Sequence, residues 1–413
     1  MKFKLTKLEK QWVMYDVGNS AFILLVATIV PIFFNGLAES AGISSVDYLA
    51  YWGYATGIAT LLVAILGPVI GALADGRLGK KLLLIVTMLL GCVGCAVMGW
   101  MTQWLAFLIV FVIAKVGYSS SLVVNDAMLT DVTEPERVNR VSASGYAWGY
   151  IGSCLPFVVC LGLVLGKDLI GLSMGTAMII AFTIIALWWL GCTLPLLKNY
   201  KQKHWDKGAG IADSFRSLGA TLKEIVKNKA VLLFLLAFFC YIDGVYTVID
   251  MATAFGQALG LDTSGLLIAL LVTQIVAFPC SLLFGRLSKK VPAERLITIS
   301  IVAYTCIALY AIGLDSQFDF WLLAIVVGMF QGGIQAMTRA YYAQIIPAEK
   351  AGEYFGIMDI CGKGASFVGT TLVGAMSQLT GSVNSGVASL AVLFVLGLIL
   401  FRMAVKERKK LGI

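Results

Sequence analysis

Twelve stretches of this chain are each long and apolar enough to cross a lipid bilayer, and that feature excludes almost every other architecture. They lie near residues 12–37, 48–74, 82–101, 104–132, 141–166, 169–197, 230–256, 264–288, 295–313, 319–346, 355–380 and 385–404. About 20 apolar residues span the hydrocarbon core, and a run of that length closes its backbone hydrogen bonds internally only as a helix. The expected fold is therefore an all-α integral membrane protein with twelve transmembrane helices. Composition agrees: of 413 residues, 59% are hydrophobic and only 13% charged, about half the charge of a soluble domain. So few charges cannot keep so much apolar surface in water, which removes soluble enzymes, disordered scaffolds and nucleic-acid binders together. The first stretch is too long for a signal-peptide core and contains Asp16, so it is expected to stay in the mature protein.

Metal and redox chemistry find little support. All nine cysteines fall inside apolar runs, and Cys92 and Cys95, a C-x-x-C, have neither a second pair nor a nearby histidine. They read as small packing residues. The one histidine, His204, lies in a polar loop, and no G-x-x-x-x-G-K-[ST] occurs. No cofactor is expected.

The net charge of +8 is informative by position. Lys2 to Lys10, Arg77 to Lys81, Arg137 and Arg140, the 198–229 segment, Arg286 to Arg295, and Lys406 to Lys410 occupy alternate loops. The intervening loops carry Glu39, Asp47, Asp168, Asp262, Asp315 and Asp319 with a single basic residue, Lys167. Positive loops stay inside, which places both termini in the cytoplasm of a cell (plasma or inner) membrane. The 198–229 linker has Ile211, Phe215, Leu218, Leu222 and Ile225 at helical spacing, accompanied by Arg216, Lys223, Lys227 and Lys229. It is expected to form a basic amphipathic helix on the inner leaflet, joining a six-helix half over 1–197 to another over 230–413.

The halves repeat. Gly71-Ala72-Leu73-Ala74-Asp75 corresponds to Gly285-Arg286-Leu287-Ser288-Lys289 at an offset of 214, and Pro135-Glu136-Arg137 to Ala348-Glu349-Lys350 at an offset of 213. Two parallel six-helix repeats are a transporter arrangement.

Charges inside the spans cost several kcal/mol unless paired or wetted, so their distribution marks the working interior. The first span holds Asp16, the fourth Lys115 and Asp126, the seventh Asp243 and Asp250, the tenth Arg339, and the eleventh Asp359 and Lys363; the third, sixth, ninth and twelfth hold none. A wet cavity lined by the first group, with the second facing lipid, leaves this partition. At about 1.5 Å of rise per residue, Asp16, Asp126, Arg339 and Asp359 lie roughly 6–11 Å from the cytoplasmic ends, with Lys115 and Asp243 near the midplane. Arg339 corresponds to Asp126 at the 213 offset, so an inner gate between opposite charges is expected. Asp359 and Lys363, four apart on one face, read better as a static pair, since an i,i+4 pair already satisfies both charges.

The G-x-x-x-D-x-x-x-G-K-K of Gly71 to Lys81 resembles the signature loop of the major facilitator superfamily, with one residue inserted before the second glycine. The resemblance implies that Asp75 faces the start of the eleventh helix, and that Arg77 pairs with Asp131 at the end of the fourth. Trp12 to Phe22, Asn125 to Asp131, Gly332 to Arg339, and Tyr354-Phe355-Gly356 with Gly362-Lys363 are similar to its vacuole-effluxer-like branch, whose fungal members export amino acids from the vacuole. This chain departs from the branch at Val124 and Thr130, where tyrosine and proline are common.

The expectation is a monomeric secondary transporter of a small polar solute, amino-acid-like, driven by protons. Asp16, Asn19, Lys115, Asp126, Asp243, Arg339 and Lys363 are the candidates for substrate and coupling, and Asp75, Arg77, Asp131 and Asp359 for gating. A sugar or drug carrier of the same fold is the alternative. An intramembrane aspartyl protease is the rival of another class, since Tyr15-Asp16 is half of its pattern, but the G-x-G-D partner is absent. A receptor derived from a transporter would have filled its cavity or gained larger tails.

Overall fold

The computed structural model describes residues 3–43, 45–76, 79–205, 211–259, 261 and 263–410. Among the described residues fourteen α-helices follow in order: α1 Lys7–Ser40, α2 Ser45–Ala74, α3 Gly79–Met98, α4 Trp104–Val132, α5 Val138–Leu165, α6 Met174–Asn199, α7 Ile211–Lys227, α8 Lys229–Ala258, α9 Thr263–Leu287, α10 Ala293–Tyr310, α11 Gln317–Ile345, α12 Ala351–Thr380, α13 Val383–Ala388 and α14 Leu390–Lys410. Eleven helices among the described residues are long and apolar enough to cross a membrane. The remaining span, the eleventh in order, is α12, whose 30 residues match the others in length but include Glu353, Asp359 and Lys363. The fold has twelve transmembrane helices, with α7 in the linker and α13 a short turn before the last span.

Helix α1 starts five residues before its apolar run because Thr6 caps it. Glu9 N donates to Thr6 Oγ1 and Thr6 N to Glu9 Oε2, the reciprocal bonds of a capping box. Asp16 therefore sits nine residues into the helix, about 14 Å along it, deeper than the apolar run alone implies. Glu9 Oε1 also accepts from the Thr133 hydroxyl at 2.7 Å, tying the first turn of α1 to the end of α4.

Contacts divide the chain into two compact units: Met1–Thr133, Trp148–Ser214 and Glu349–Gly356 in the first, and Glu134–Ala147, Phe215–Ala348 and Ile357–Ile413 in the second. Each unit thus takes one short segment from the other sequence half. Within the first, α1 is keyed to α4 by Trp12 Nε1 donating to the Asn125 carbonyl at 2.9 Å and by the Tyr15 and Ser121 hydroxyls, with the Phe22 ring tilted against Tyr118 at 5.1 Å between centres. Within the second, α8 lies along α14, and α9 along α11.

Candidate functional site

Asp75 follows the last residue of α2 and is 1% exposed. Its Oδ1 accepts from Gly352 N and its Oδ2 from Glu353 N, both at 2.8 Å. Those are first-turn N–H groups of α12, which have no partner within their own helix and carry the positive end of its dipole. The approach needs glycine on both sides: a β-carbon on Gly71 would overlap the Gly352 carbonyl, and one on Gly352 the Gly71 carbonyl. Burial pushes the Asp75 carboxyl up to about 7, against the opposing pull of Lys80 and of the two backbone N–H groups.

Asp131, the next-to-last residue of α4 and fully buried, gathers donors from two segments. Lys80 Nζ reaches Oδ2 at 3.0 Å and the Tyr200 hydroxyl donates to the same oxygen; Oδ1 accepts from Lys203 N at 3.2 Å and His204 N at 2.9 Å, with His204 Nδ1 2.8 Å away. Gln202 completes the clip: its Nε2 donates to the Ala74, Gly76 and His204 carbonyls, and its Oε1 accepts from Lys80 N. The first residues of the linker therefore strap the turn that carries Asp75. Among the described residues, Lys80 is the side-chain cation that meets Asp131; Arg77, the partner that the resemblance implies, lies outside the described residues. The inserted residue shifts the second glycine and its lysines by one position, which carries Lys80 to the start of α3, facing the end of α4. Tyr200, Gln202 and His204 had no signal in the sequence, because a polar loop discloses no partner.

Deeper in the same unit, Asp16 and Asn19 on α1 are buried, and Asn19 Nδ2 has no hydrogen-bond partner among the described residues. Lys115 is half-buried, its Nζ 5.5 Å from the centre of the Tyr118 ring. The contacts of Tyr15 with Ser121 and Phe22 with Tyr118 set the antiparallel register, which brings Asn19 to within about one turn of the level of Lys115, and Asp16 to within about two. Asp126, half-buried, lies eleven residues along α4 from Lys115, about 16 Å. Asp16, Asn19 and Lys115 thus fall within about two turns of one another, and the same register brings Asp126 to within about one turn of the level of Asp16.

In the second unit, Asp243 on α8 is fully buried. Oδ1 accepts from Gly369 N at 3.0 Å and from the Thr247 hydroxyl at 3.3 Å, while Oδ2 has no hydrogen-bond partner among the described residues. A side chain on Gly369 would collide with both Thr247 and Asp243, so α12 presents bare backbone to this acid. Thr247 also lines a cavity of about 70 Å³ that continues along α8 to Phe255 and is bordered by Gln331. Arg339 is buried, with Nε donating to Ser142 Oγ at 3.0 Å and Nη2 to the Ser142 carbonyl at 3.1 Å, its guanidinium 4.3 Å from the Tyr146 ring centre. Ser142 Oγ in turn donates to the Ala336 carbonyl at 2.9 Å. Asp359 is half-buried on α12; the Lys363 side chain lies outside the described residues.

A twelve-helix bundle of two repeats, with charges confined to particular spans and the Asp75 turn seated on a helix N-terminus, defines a major facilitator-type secondary transporter and not an enzyme. The chain belongs to the family described as "Vacuole effluxer Atg22 like", which it matches over residues 6–411. It is 38% identical over 414 residues to the uncharacterized MFS-type transporter YxiO of Bacillus subtilis, covering 98% of this chain and 97% of that one. Autophagy-related protein 22 of Coccidioides immitis is 26% identical over 303 residues, 66% of this chain and 49% of its own. Among solved structures, the human organic anion transporter MFSD10 superposes with a TM-score of 0.72 at 16% identity, covering 95% of this chain and 98% of that one. FucP in its outward conformation gives 0.71 at 14%, with 96% and 97% covered.

Proposed function

We propose that this protein carries a small zwitterionic, amino-acid-like solute across a cell membrane by alternating access, as a monomer with both termini cytoplasmic, and that protons drive it. The observation that carries the coupling is the Asp243 carboxyl. One oxygen is held by a helix N–H and a hydroxyl, and the other, inside a span, has no hydrogen-bond partner among the described residues. A proton can join and leave the second oxygen without breaking the contacts that hold α8 to α12, and an ionised carboxylate there demands compensation that a proton supplies.

The zone of Asp16, Asn19 and Lys115 suits a solute bearing both charges, since it offers an acid, an amide and an ammonium within about two helical turns. The match to the vacuole effluxer family supports a carrier of a small solute, while FucP, named as a fucose:proton symporter, keeps a sugar as the alternative cargo. Asp126 and Arg339 act as gate charges and the Asp75 turn as a conformational lock, because pairings made in one conformation alone shift the equilibrium by their differential energy.

Proteoliposome uptake of a labelled panel of amino acids and sugars, with and without a pH gradient, tests the proposal. Accumulation of an amino acid only with the gradient is expected, and Asp243→Asn should abolish accumulation while leaving exchange. Undiminished, pH-dependent accumulation by that variant would refute the coupling role; sugar uptake without amino-acid uptake would refute the cargo.

A further inference from the structure

A cleft of about 800 Å³ opens in the second unit between the first turn of α10 and the last turns of α14. One wall is apolar, formed by Leu398, Ile399 and Met403, with Ile399 and Met403 about half exposed. The rest is basic: Arg295, Arg402, Lys406 and Lys409, all exposed, against the single carboxylate of Glu294. The Tyr304 ring, tilted against Phe394 at 5.5 Å between centres, fixes the antiparallel register, and counting along both helices brings Arg295 to the level of Arg402 and Lys406. Four cations against one carboxylate leave an excess of like charge there, whose mutual repulsion a bound anion relieves. The N-cap of α10 is Pro292, whose side chain makes no capping bond, so a helix N-terminus adds its positive end to the same place.

We propose that this cleft holds an anionic phospholipid, its phosphate among Arg295, Arg402 and Lys406 and its acyl chains along Leu398, Ile399 and Met403. The planar guanidinium fork matches a phosphate group. A free metabolite would leave the exposed Ile399 and Met403 uncovered, whereas a lipid covers them and meets the cations where its headgroup ends. The general preference of inner loops for basic residues explains Lys409 but not Arg402, which lies eight residues before the end of α14. The proposal rests on the cytoplasmic placement of this end only for the choice of leaflet, whose inner face is anionic.

The test is native mass spectrometry of the full chain in micelles holding equal phosphatidylglycerol and phosphatidylcholine, where no leaflet exists and the orientation is not at stake. Wild type should retain phosphatidylglycerol at least fivefold over phosphatidylcholine, and the triple variant Arg295→Gln, Arg402→Gln, Lys406→Gln should fall to near parity. Lys289→Gln with Lys290→Gln, basic but outside the cleft, should keep the preference. Arg402→Lys, which keeps the charge and loses the fork, should be intermediate and covers the case of a triple variant that fails to fold. An undiminished preference in the triple variant or in Arg402→Lys, or an equal loss in the Lys289 and Lys290 pair, overturns the site. Complete displacement by millimolar inorganic phosphate overturns the lipid as its occupant.

Discussion

The turn after α2 and the turn after α9 occupy equivalent places in the two repeats, yet they are held in different ways. In the first, Asp75 is buried and takes two backbone N–H bonds from α12. In the second, the corresponding residue is Lys289, which is exposed, and Gly285 instead lies against Ala143 and Arg140 of α5. The inversion recurs: at offsets of 213 and 214, Asp126 corresponds to Arg339, Lys80 to Glu294, and Asp131 to the neutral Gln344. Gln344 Nε2 donates to Asn139 Oδ1 at 2.9 Å, one bond where Asp131 accepts several. A helix N-terminus welcomes a carboxylate and repels a lysine, so the repeat keeps the backbone close approach while only one turn keeps a charged anchor.

The largest consequence concerns Asp131. Asp131→Asn leaves Lys80 buried without its charge partner, a loss of about 3–5 kcal/mol, and should lower the thermal midpoint in detergent by many degrees. Gln344→Leu should cost about 1 kcal/mol, the net worth of an ordinary hydrogen bond. Equal destabilisation of the two variants would break the contrast.

Asp75→Asn comes next, because an amide presents an N–H where the carboxylate accepted one. Transport in proteoliposomes should fall at least tenfold with little change in thermal midpoint, and accessibility labelling from the cytoplasmic side should rise. Lys289→Gln should change transport less than twofold; a comparable loss there would mean that the two turns work alike after all.

Arg339→Lys should reduce transport several-fold, since the fork that holds both the hydroxyl and the carbonyl of Ser142 is lost. Ser142→Ala, which removes only one of these acceptors, should have a smaller effect on the same assay. If Arg339→Lys matches wild type, the fork is idle.

The smallest expected effect is a pH dependence. With Asp75 seated on α12 its carboxyl titrates at about 7, against 3.8 ordinarily. Between those values the seated form holds a proton that an open, hydrated turn does not. Falling pH from 7 to 4 therefore favours the closed turn, and above 7 the dependence vanishes. Cytoplasmic labelling measured across that range should decline as pH falls in wild type and stay flat in Asp75→Asn; a decline that survives in the variant assigns it to another group.

Much of the fold was legible because its signals are local. Span length, loop charge and the repeat are each read over a few tens of residues, and the bilayer imposes them without reference to any distant partner. The interior acids were legible for the same reason, since a charge in a span announces its cost wherever it is. Boundaries were less so: the capping box at Thr6 extended α1 beyond its apolar run and moved Asp16 inward.

What only the tertiary structure decided was who meets whom. Sequence pattern placed Asp131 at a helix end but could not choose among the cations of a loop with an inserted residue, and it gave Gln202 and His204 no role. It gave no hint that Gly369 offers its backbone N–H to Asp243, or that Ser142 receives Arg339. Those choices depend on the register of helices far apart in the chain, set by the summed packing of many apolar side chains. A hydrogen bond forms only within about 3 Å, so a packing shift of one turn reassigns every partner while leaving the sequence pattern unchanged.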